Sequence, residues 1–449
     1  MRAVPVAITI AGSDSGGGAG IEADLKTFMA LGVHGAVAIT SVTAQNTYEV
    51  TMIHDLPPEI VAEQIRVVYR DTGIDAGKTG MLSNKEIIHA VAETVEELGF
   101  PLVVDPVMVA KSGARLLRED AIDALIRELL QRAVLVTPNI PEAEILSGMR
   151  INGLEDMMEA ARTIVEKHGA EAAVVKGGHL GGSESVDVLY YRGRHYYFKT
   201  ERIETKNTHG TGCSFSAAIA ALLAKNYGLV EAVGKAKEFI TTAIKYSLPI
   251  GRGHGPVNPA AWIWIPAEKY RVLSLLEEAV MMFLGIPGAN DLVPEVGTNI
   301  VYSLPALYAR TVRDVAGVEG RITRGINRPV VHGMIRFGAS SHMARLVLAA
   351  QRYDPRIRAA ANIRYDERMV ERAREKGYSI CYVDRRVEPV DVKKVEGSSI
   401  PWILGEAVKK ARRVPDIIYD HGDYAREPMI RVLGEDPVKV VEIIRSLAG

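Results

Sequence analysis

Short apolar runs alternating with segments of helical period constrain this chain more than any other feature. In the first half Val4–Ile10, Ala36–Thr40, Leu102–Asp105, Val134–Thr137 and Ala172–Lys176 are the runs. Parallel strands need a crossover between each pair and are buried on both faces, so this pattern predicts a parallel sheet covered by helices. Met157–His168 has a helical period and stops at Gly169, a suitable C-cap, before the next β-branched run. Gly182–Phe198 suggests a small antiparallel excursion. Glycine and proline then break the pattern at Gly251–Pro256 and Trp262–Pro266, where a domain boundary is expected. Beyond it, strand-like Ile300–Leu304, Val330–Phe337, Ser379–Val383 and Ile417–Tyr419 alternate with helical Met343–Gln351, Glu367–Lys376 and Leu404–Arg412. The expected fold class is α/β: a first domain over 1–265 with a mainly parallel central sheet flanked by helices, and a second α/β domain over 270–449. The length of 449 residues exceeds what one hydrophobic core usually supports.

Composition narrows the function. With 47% hydrophobic and 24% charged residues the chain should fold throughout. A net charge of -1 provides no electrostatic footprint for nucleic acid or anionic lipid. Ala217–Ala224 is too short to cross a bilayer, and Tyr270–Leu284 is interrupted by Arg271, Glu277 and Glu278. Val4–Ala11 leads straight into a glycine-rich segment, which suits a buried strand rather than a signal peptide. Cys213 and Cys381 give neither a metal-ligand spacing nor a disulfide framework, so a cytoplasmic location is expected. Small-molecule chemistry is what remains, with neither nucleic acid nor membrane as a partner.

Two glycine-rich segments could carry it. Ala11–Gly20 lacks the lysine and hydroxyl residue of a Walker loop and the spacing of a dinucleotide fingerprint, and a tight turn without a ligand explains it about as well as a site. KNTHGTGCSFS (206–216) is more specific. Ahead of the alanine-rich Ala217–Ala224, Gly210–Gly212 would aim successive backbone N–H groups at a transferring phosphoryl group, with the helix dipole adding to the field. That is an anion hole.

Up to about Trp264 the chain resembles the hydroxymethylpyrimidine/phosphomethylpyrimidine kinases of the ribokinase superfamily. AGSDSGGGAGIEADLKTF, AQNT, GKTGML, DPVMVAKSG, TPNIPEAE, KGGH and KNTHGTGCSFSAA carry the resemblance, in the family's order. It implies ATP as co-substrate, Mg2+, and a homodimer formed through the kinase domain. Gln45, with an amide donor and acceptor, would read the edge of an aminopyrimidine. Gly12 and Asp14 would line the substrate site, and Met81 and Val107 would wall the ring unless they are ordinary core. Asp105 and Glu142 would hold magnesium, with Asn139 beside the ATP phosphates. A helix cap is the rival role for Asn139. Lys176 would meet the phosphates, a snorkelling surface lysine being the alternative. Gly210, Thr211 and Gly212 would form the anion hole. Cys213 stands where ribokinase relatives commonly place an aspartate base, and would accept the hydroxymethyl proton with its thiol pKa lowered by the helix dipole.

From about Tyr270 the chain resembles a ThiN-type thiamine phosphate synthase domain, on GVEGRI, IRFGASSHMAR, the Asn362–Tyr365 strand and PDIIYDHGDYAREPMIRVLG. Such a domain joins the pyrimidine pyrophosphate to thiazole phosphate and releases pyrophosphate. The resemblance implies that Arg321 clamps phosphate, that Ser340 and Ser341 bind it at a helix start, and that His342 stabilises or protonates a leaving oxygen. Asp420, His421 and Asp423 are adequately explained as a turn. The rivals are a ligand sensor regulating the kinase, for this half, and a pyridoxine-type kinase, for the other.

Overall fold

The computed structural model describes residues 3–109, 116–179, 181–424 and 426–448. The chain divides into two compact units, Met1–Ile263 and Trp264–Gly449. Among the described residues no helix is long and apolar enough to cross a membrane.

The first unit has one nine-stranded sheet. Its strands are β1 (Val6–Asp14), β2 (His34–Gln45), β3 (Val50–Asp55), β4 (Ala76–Thr79), β5 (Leu102–Val104), β6 (Leu135–Val136), β7 (Ala172–Lys176), β8 (Glu184–Tyr191) and β9 (Arg194–Glu201), in the order β3-β2-β1-β4-β5-β6-β7-β8-β9. From β2 through β7 every pairing is parallel; β3, β8 and β9 join antiparallel at the edges. Successive side chains go to opposite faces. Ile8, Ile10, Val104 and Val136 meet Ile65, Ile87 and Ile164 from helices on one face. Ala7, Val103, Leu135 and Val174 meet Phe28, Phe239 and the alanines of Thr211–Ala224 on the other.

Departures from expectation have local causes. β1 begins later and runs to Asp14, so the glycine loop starts inside the strand end. Ala76–Thr79 contains only glycine, lysine, alanine and threonine, too little apolar pattern to announce a buried central strand. The antiparallel excursion is a hairpin whose turn residues, Arg192 and Gly193, both take positive φ, matching the twist of the paired strands. A helix covers Ala261–Leu284, with Pro266 inside it, and the division between the two units falls within its first turn. As the sixth residue of the helix, Pro266 lacks the N–H that would reach the Trp262 carbonyl, so one bond of the second turn is forgone.

The second unit carries a seven-stranded sheet in the order Ile335–Phe337, Val315–Val318, Ile300–Ser303, Ala359–Arg364, Met429–Gly434, Ile417–Asp420, Ile380–Tyr382. Only the last pair is parallel. The run expected as one strand, Val330–Phe337, is two: Val330–Val331 pairs with Ile322–Thr323 in a separate ribbon, and Ile335–Phe337 joins the main sheet. Val301, Ala360, Ile418 and Leu433 form one face of that sheet, packed on Leu346 and Val347 of the helix Ser341–Gln351 and on Ile403 and Leu404 of Ser399–Ala411.

Ile8 is completely buried in the first unit's sheet. Ile8→Ala should lower the stability of that unit by about 2–5 kcal/mol, read as a lower urea midpoint for its unfolding.

Candidate active sites

Parallel strands deliver their carboxyl ends to one side of a sheet, where ligands bind in folds of this kind. Here that side holds Asp14 at the end of β1, Gln45 at the end of β2, Met81 after β4, Asp105 directly after β5, Asn139 after β6 and Lys176 at the end of β7. All six line one cleft of about 950 Å³, together with Gly12, Val107, Glu142, Gly210, Thr211, Gly212 and Cys213. Thus every kinase-half residue named from sequence comes to this cleft. Residues 110–113, the end of DPVMVAKSG, lie outside the described residues.

Two loops close on each other at its centre. Asp14 accepts hydrogen bonds from the amides of Gly16 (2.8 Å), Gly18 (3.0 Å) and Ala19 (2.9 Å), and its Oδ2 lies 2.9 Å from His209 Nε2. Burial opposes its charge, yet His209 and these amides prevail and hold Asp14 below the usual carboxylate range. Glycine is required where the loops meet. A Cβ on Gly18 would stand 2.4 Å from the His209 ring, and one on Gly210, whose φ is +77°, would stand 1.9 Å from the Gly18 carbonyl oxygen. Gln45 Nε2 is 3.3 Å from the same His209 nitrogen.

Gly210 caps the helix Thr211–Ala224, whose first turn leaves amide N–H groups without intrahelical acceptors. Lys176 and Asp105 border this turn: a Cβ on Gly212 would lie 3.4 Å from Lys176 Nζ and 3.5 Å from Asp105 Oδ2. Lys176 Nζ is 3.1 Å from Asp105 Oδ1, and Thr137 and Ser216 also donate to that carboxylate. Asn139 and Glu142 form a reciprocal capping box, so the rival structural role of Asn139 is realised while both residues still line the cleft. Burial, with Asp105 nearby, pushes Glu142 up to about 7 although Lys176 acts against it.

The dipole argument for Cys213 needs correction. Burial pushes its thiol up to about 11, reinforced by Asp24 and Asp105, and outweighs Lys78 and the Gly20 amide, which favour the thiolate. At neutral pH the sulfur therefore keeps its proton. Two residues that no sequence signal had marked, Lys78 and Asp24, lie in GKTGML and in the helix after the first glycine loop. Both side chains are fully buried, 2.9 Å apart, and Thr9 also donates to Asp24 at 2.6 Å. Burial works against the Lys78 ammonium, but Asp24, Cys213 and Asp105 overcome it and raise its pKa to about 12. A lysine inside a central strand has no purpose that periodicity can reveal. His209, embedded in NTHGTG, could have been flagged by its place between two phosphate-loop residues.

In the second unit, Ser340 and Ser341 stand at the start of Ser341–Gln351, and Ser340 faces Gly317 closely enough that a Cβ there would be 3.3 Å away. Arg321 has a positive φ of 67°, a costly backbone for a long side chain, and donates to the Val296 carbonyl. His342 is pushed down to about 4 by loss of water around its ring and by Arg431, Arg385, Arg321 and Arg345. The residue is still open to solvent, so water screens part of this shift. Its direction gives a neutral imidazole at pH 7, which suits the first of the two expected roles, stabilising an oxygen by a hydrogen bond, better than protonating it. Asp420 pairs with Arg431 at 2.6 Å, Asp423 with Lys393 at 2.7 Å, and His421 meets Tyr365 Oη at 3.1 Å. Among the described residues no cluster of three or more His, Cys, Asp or Glu is arranged to hold a metal.

Opposite changes around Cys213 should move its thiol in opposite directions. In a Cys381→Ser background, Lys78→Met should shift the pH midpoint of Cys213 alkylation by iodoacetamide upward, and Asp24→Asn should shift it downward, each by about one pH unit or more. Movement in the same direction would show that these residues act only through packing.

A family described as phosphomethylpyrimidine kinase matches residues 14–258, more than half of the chain, and one described as thiamine-phosphate synthase ThiN matches 275–446. The hydroxymethylpyrimidine/phosphomethylpyrimidine kinase of Rhizobium meliloti is 51% identical over 255 residues, covering 56% of this chain and 96% of that protein. The thiamine biosynthesis bifunctional protein ThiED of Geobacter sulfurreducens is 51% identical over 252 residues, 56% of this chain, and the match spans about half (51%) of that relative. Among solved structures, an ADP complex of Bacillus subtilis pyridoxal kinase matches with 41% identity and a TM-score of 0.54, over 58% of this chain and 98% of that one. Staphylococcus aureus pyridoxal kinase with AMP-PCP and pyridoxal matches with 38% identity and a TM-score of 0.54, over 58% and 96%. With the cleft built at the sheet's carboxyl ends and the kinase family matched over more than half of the sequence, the chain belongs to the phosphomethylpyrimidine kinase family of thiamine biosynthesis and carries a ThiN-type thiamine-phosphate synthase domain behind the kinase.

Proposed function

We propose that the first unit uses ATP to phosphorylate hydroxymethylpyrimidine and then its monophosphate, and that the second unit joins the resulting pyrophosphate to thiazole phosphate, giving thiamine phosphate and pyrophosphate. The observation that carries the kinase reading is the convergence of Gln45, Lys176 and the Gly210–Cys213 turn on one cleft. A base-reading amide and an anion hole in the same cleft let substrate and phosphoryl donor react in place. The amides of the turn hold the transferring phosphoryl group, and Lys176 offsets its charge. In the first step the hydroxymethyl oxygen attacks the γ-phosphorus, its O–H breaks and ADP departs. Cys213 takes that proton in its minor thiolate form, the thiol proton having first passed to water, and Lys78 favours that form. In the second step the attacking phosphate oxygen is already anionic near neutral pH, so no such proton must leave.

Asp105 and Glu142 suit a hydrated magnesium ion, since neighbouring buried carboxylates that repel each other gain from a divalent cation. When bound, magnesium supplies neutralisation of the phosphate charge. Exposed Val42, Tyr48, Met52 and Ile53 along β2 and β3 support a homodimer through the kinase domain. The two free thiols suit a cytoplasmic enzyme. A second reading, a pyridoxal-type kinase, draws on the solved neighbours. The curated pyrimidine kinases, at 44–51% identity, favour hydroxymethylpyrimidine.

Purified protein given hydroxymethylpyrimidine, ATP, magnesium and thiazole phosphate should form thiamine phosphate, and should phosphorylate hydroxymethylpyrimidine faster than pyridoxal. Absence of the phosphorylated pyrimidines would end the kinase reading. Gln45→Ala should weaken hydroxymethylpyrimidine binding by about 1–3 kcal/mol with a smaller effect on ATP, measured by calorimetry. An equal loss for both ligands would remove Gln45 from base recognition. Arg321→Ala or His342→Ala should cut thiamine phosphate formation by about 2–4 kcal/mol at the transition state while both kinase steps continue. If wild-type protein binds thiamine phosphate without ever forming it, the second unit is a sensor.

A further inference from the structure

The second unit holds more positive charge around His342 than its own carboxylates answer. Arg431 lies on the central strand Met429–Gly434, directly across from Asn362 on one neighbour and Ile418 on the other. Ile418 belongs to the face that packs under the helix Ser341–Gln351, so Arg431 shares that face and points beneath that helix, whose second residue is His342. Its residue is almost completely buried, and its guanidinium is held 2.6 Å from the fully buried Asp420 carboxylate. Arg385 follows Cys381 and Val383, both buried, at alternate positions beyond the strand Ile380–Tyr382, and is itself buried. It meets Glu388 at 3.2 Å, and Arg426 reaches the same Glu388 oxygen at 2.8 Å. Arg345 stands one turn after His342 on the same helix, on the same side of it.

The charges do not balance. Arg385 is lowered from its ordinary value first by burial, then by Arg431 and Arg426, even though Asp420 and Glu388 support it. Among the described residues neither Arg321 nor Arg345 has a carboxylate within ion-pair distance. A crowd of partly buried guanidinium groups repels itself, and an anion placed among them relieves that repulsion. Among the described residues Arg321, Arg345, Arg385, Arg426 and Arg431 meet only Glu388 and Asp420 as ion-pair partners, five positive charges against two negative, and the excess of three is answered more fully by a diphosphate than by a monophosphate, which carries about two. Planar guanidinium groups also bind phosphate oxygens two at a time.

We infer that Arg345, Arg385 and Arg431, with Arg321 and the start of Ser341–Gln351, form a preorganised subsite for the diphosphate that leaves during thiamine phosphate formation. This inference rests on the synthase reading of the second unit. Asp420 and Glu388 hold Arg431 and Arg385 in place before the ligand arrives. In the reaction the bond between the pyrimidine methylene carbon and the diphosphate oxygen breaks with its electron pair going to oxygen, and the thiazole nitrogen forms a new bond to that carbon. The subsite receives the negative charge as it collects on the departing diphosphate. No proton has to be donated there, in keeping with a neutral His342.

Titration calorimetry with inorganic pyrophosphate and, separately, inorganic phosphate tests this on the full chain, with the kinase cleft saturated by Mg-ADP. Wild-type protein should bind pyrophosphate more tightly than phosphate. Arg345→Gln and Arg385→Gln should each weaken pyrophosphate binding by at least about tenfold. Because Arg431→Gln alone would strand the Asp420 carboxylate, the paired Asp420→Asn/Arg431→Gln variant keeps the core neutral, and it should show the same loss. Phosphorylation of hydroxymethylpyrimidine should be unchanged in all of them. Unaltered pyrophosphate affinity in the two single variants, or equal affinity for phosphate and pyrophosphate in wild type, overturns the inference even if thiamine phosphate is made. Arginine-dependent pyrophosphate binding without any thiamine phosphate formation would instead remove the synthase reading and leave the subsite standing.

Discussion

The parallel run from β2 through β7 is the constraint on which the kinase site depends. Its strands leave the core at the same edge, so residues separated by up to a hundred and more positions arrive side by side without long loops. What the sheet alone cannot do is bring two glycine loops into contact. That is done by Asp14 and His209, whose 2.9 Å contact ties the end of β1 to the turn before Thr211–Ala224. Neither loop has room for a Cβ at the point of contact, since Gly18 and Gly210 occupy space that a side chain would contest. Gln45 lies 3.3 Å from the same imidazole, so the end of β2 meets the two glycine loops at one joint.

Buried charge is handled differently in the two units. In the first, Lys78 answers Asp24 and Lys176 answers Asp105, each within about 3 Å, and the carboxylate left crowded is Glu142, which burial pushes toward neutrality. The cleft is thus close to balanced before substrates arrive, as suits a site that must accept ATP, a neutral alcohol and then a phosphate ester. In the second unit Asp420 and Glu388 are outnumbered by the arginines around them. A field of one sign is useful where a single event, departure of a polyanion, dominates the chemistry.

The parts of the fold that were legible were those whose burial is written in apolar runs or whose ends are marked by a cap residue. β7 and the helix ending at Gly169 follow directly from apolar runs and a C-cap glycine, whereas β4 hides because its buried positions are filled by alanine, glycine and threonine and by a lysine with a private partner. Val330–Phe337 misled because apolar composition cannot say with which strand a segment pairs. At the site, residues in glycine-rich or motif-like segments were visible. Lys78, Arg385 and Arg431 were not, since an isolated cation in sequence is most simply a solvated one, and only the tertiary pairing shows it buried.

Cys213 shows how far such placement alters chemistry. A helix start favours a thiolate, but the surroundings of this one remove water from the sulfur and set Asp24 and Asp105 against it, so the resting group is a thiol. Lys78 is the nearby cation that works the other way, and it can do so only because Asp24 makes its burial tolerable. The same carboxylate therefore both permits the cation that favours the thiolate and opposes the thiolate directly. With the resting sulfur protonated, any negative charge on Cys213 depends on Lys78 and the Gly20 amide, the two groups beside it that favour the thiolate.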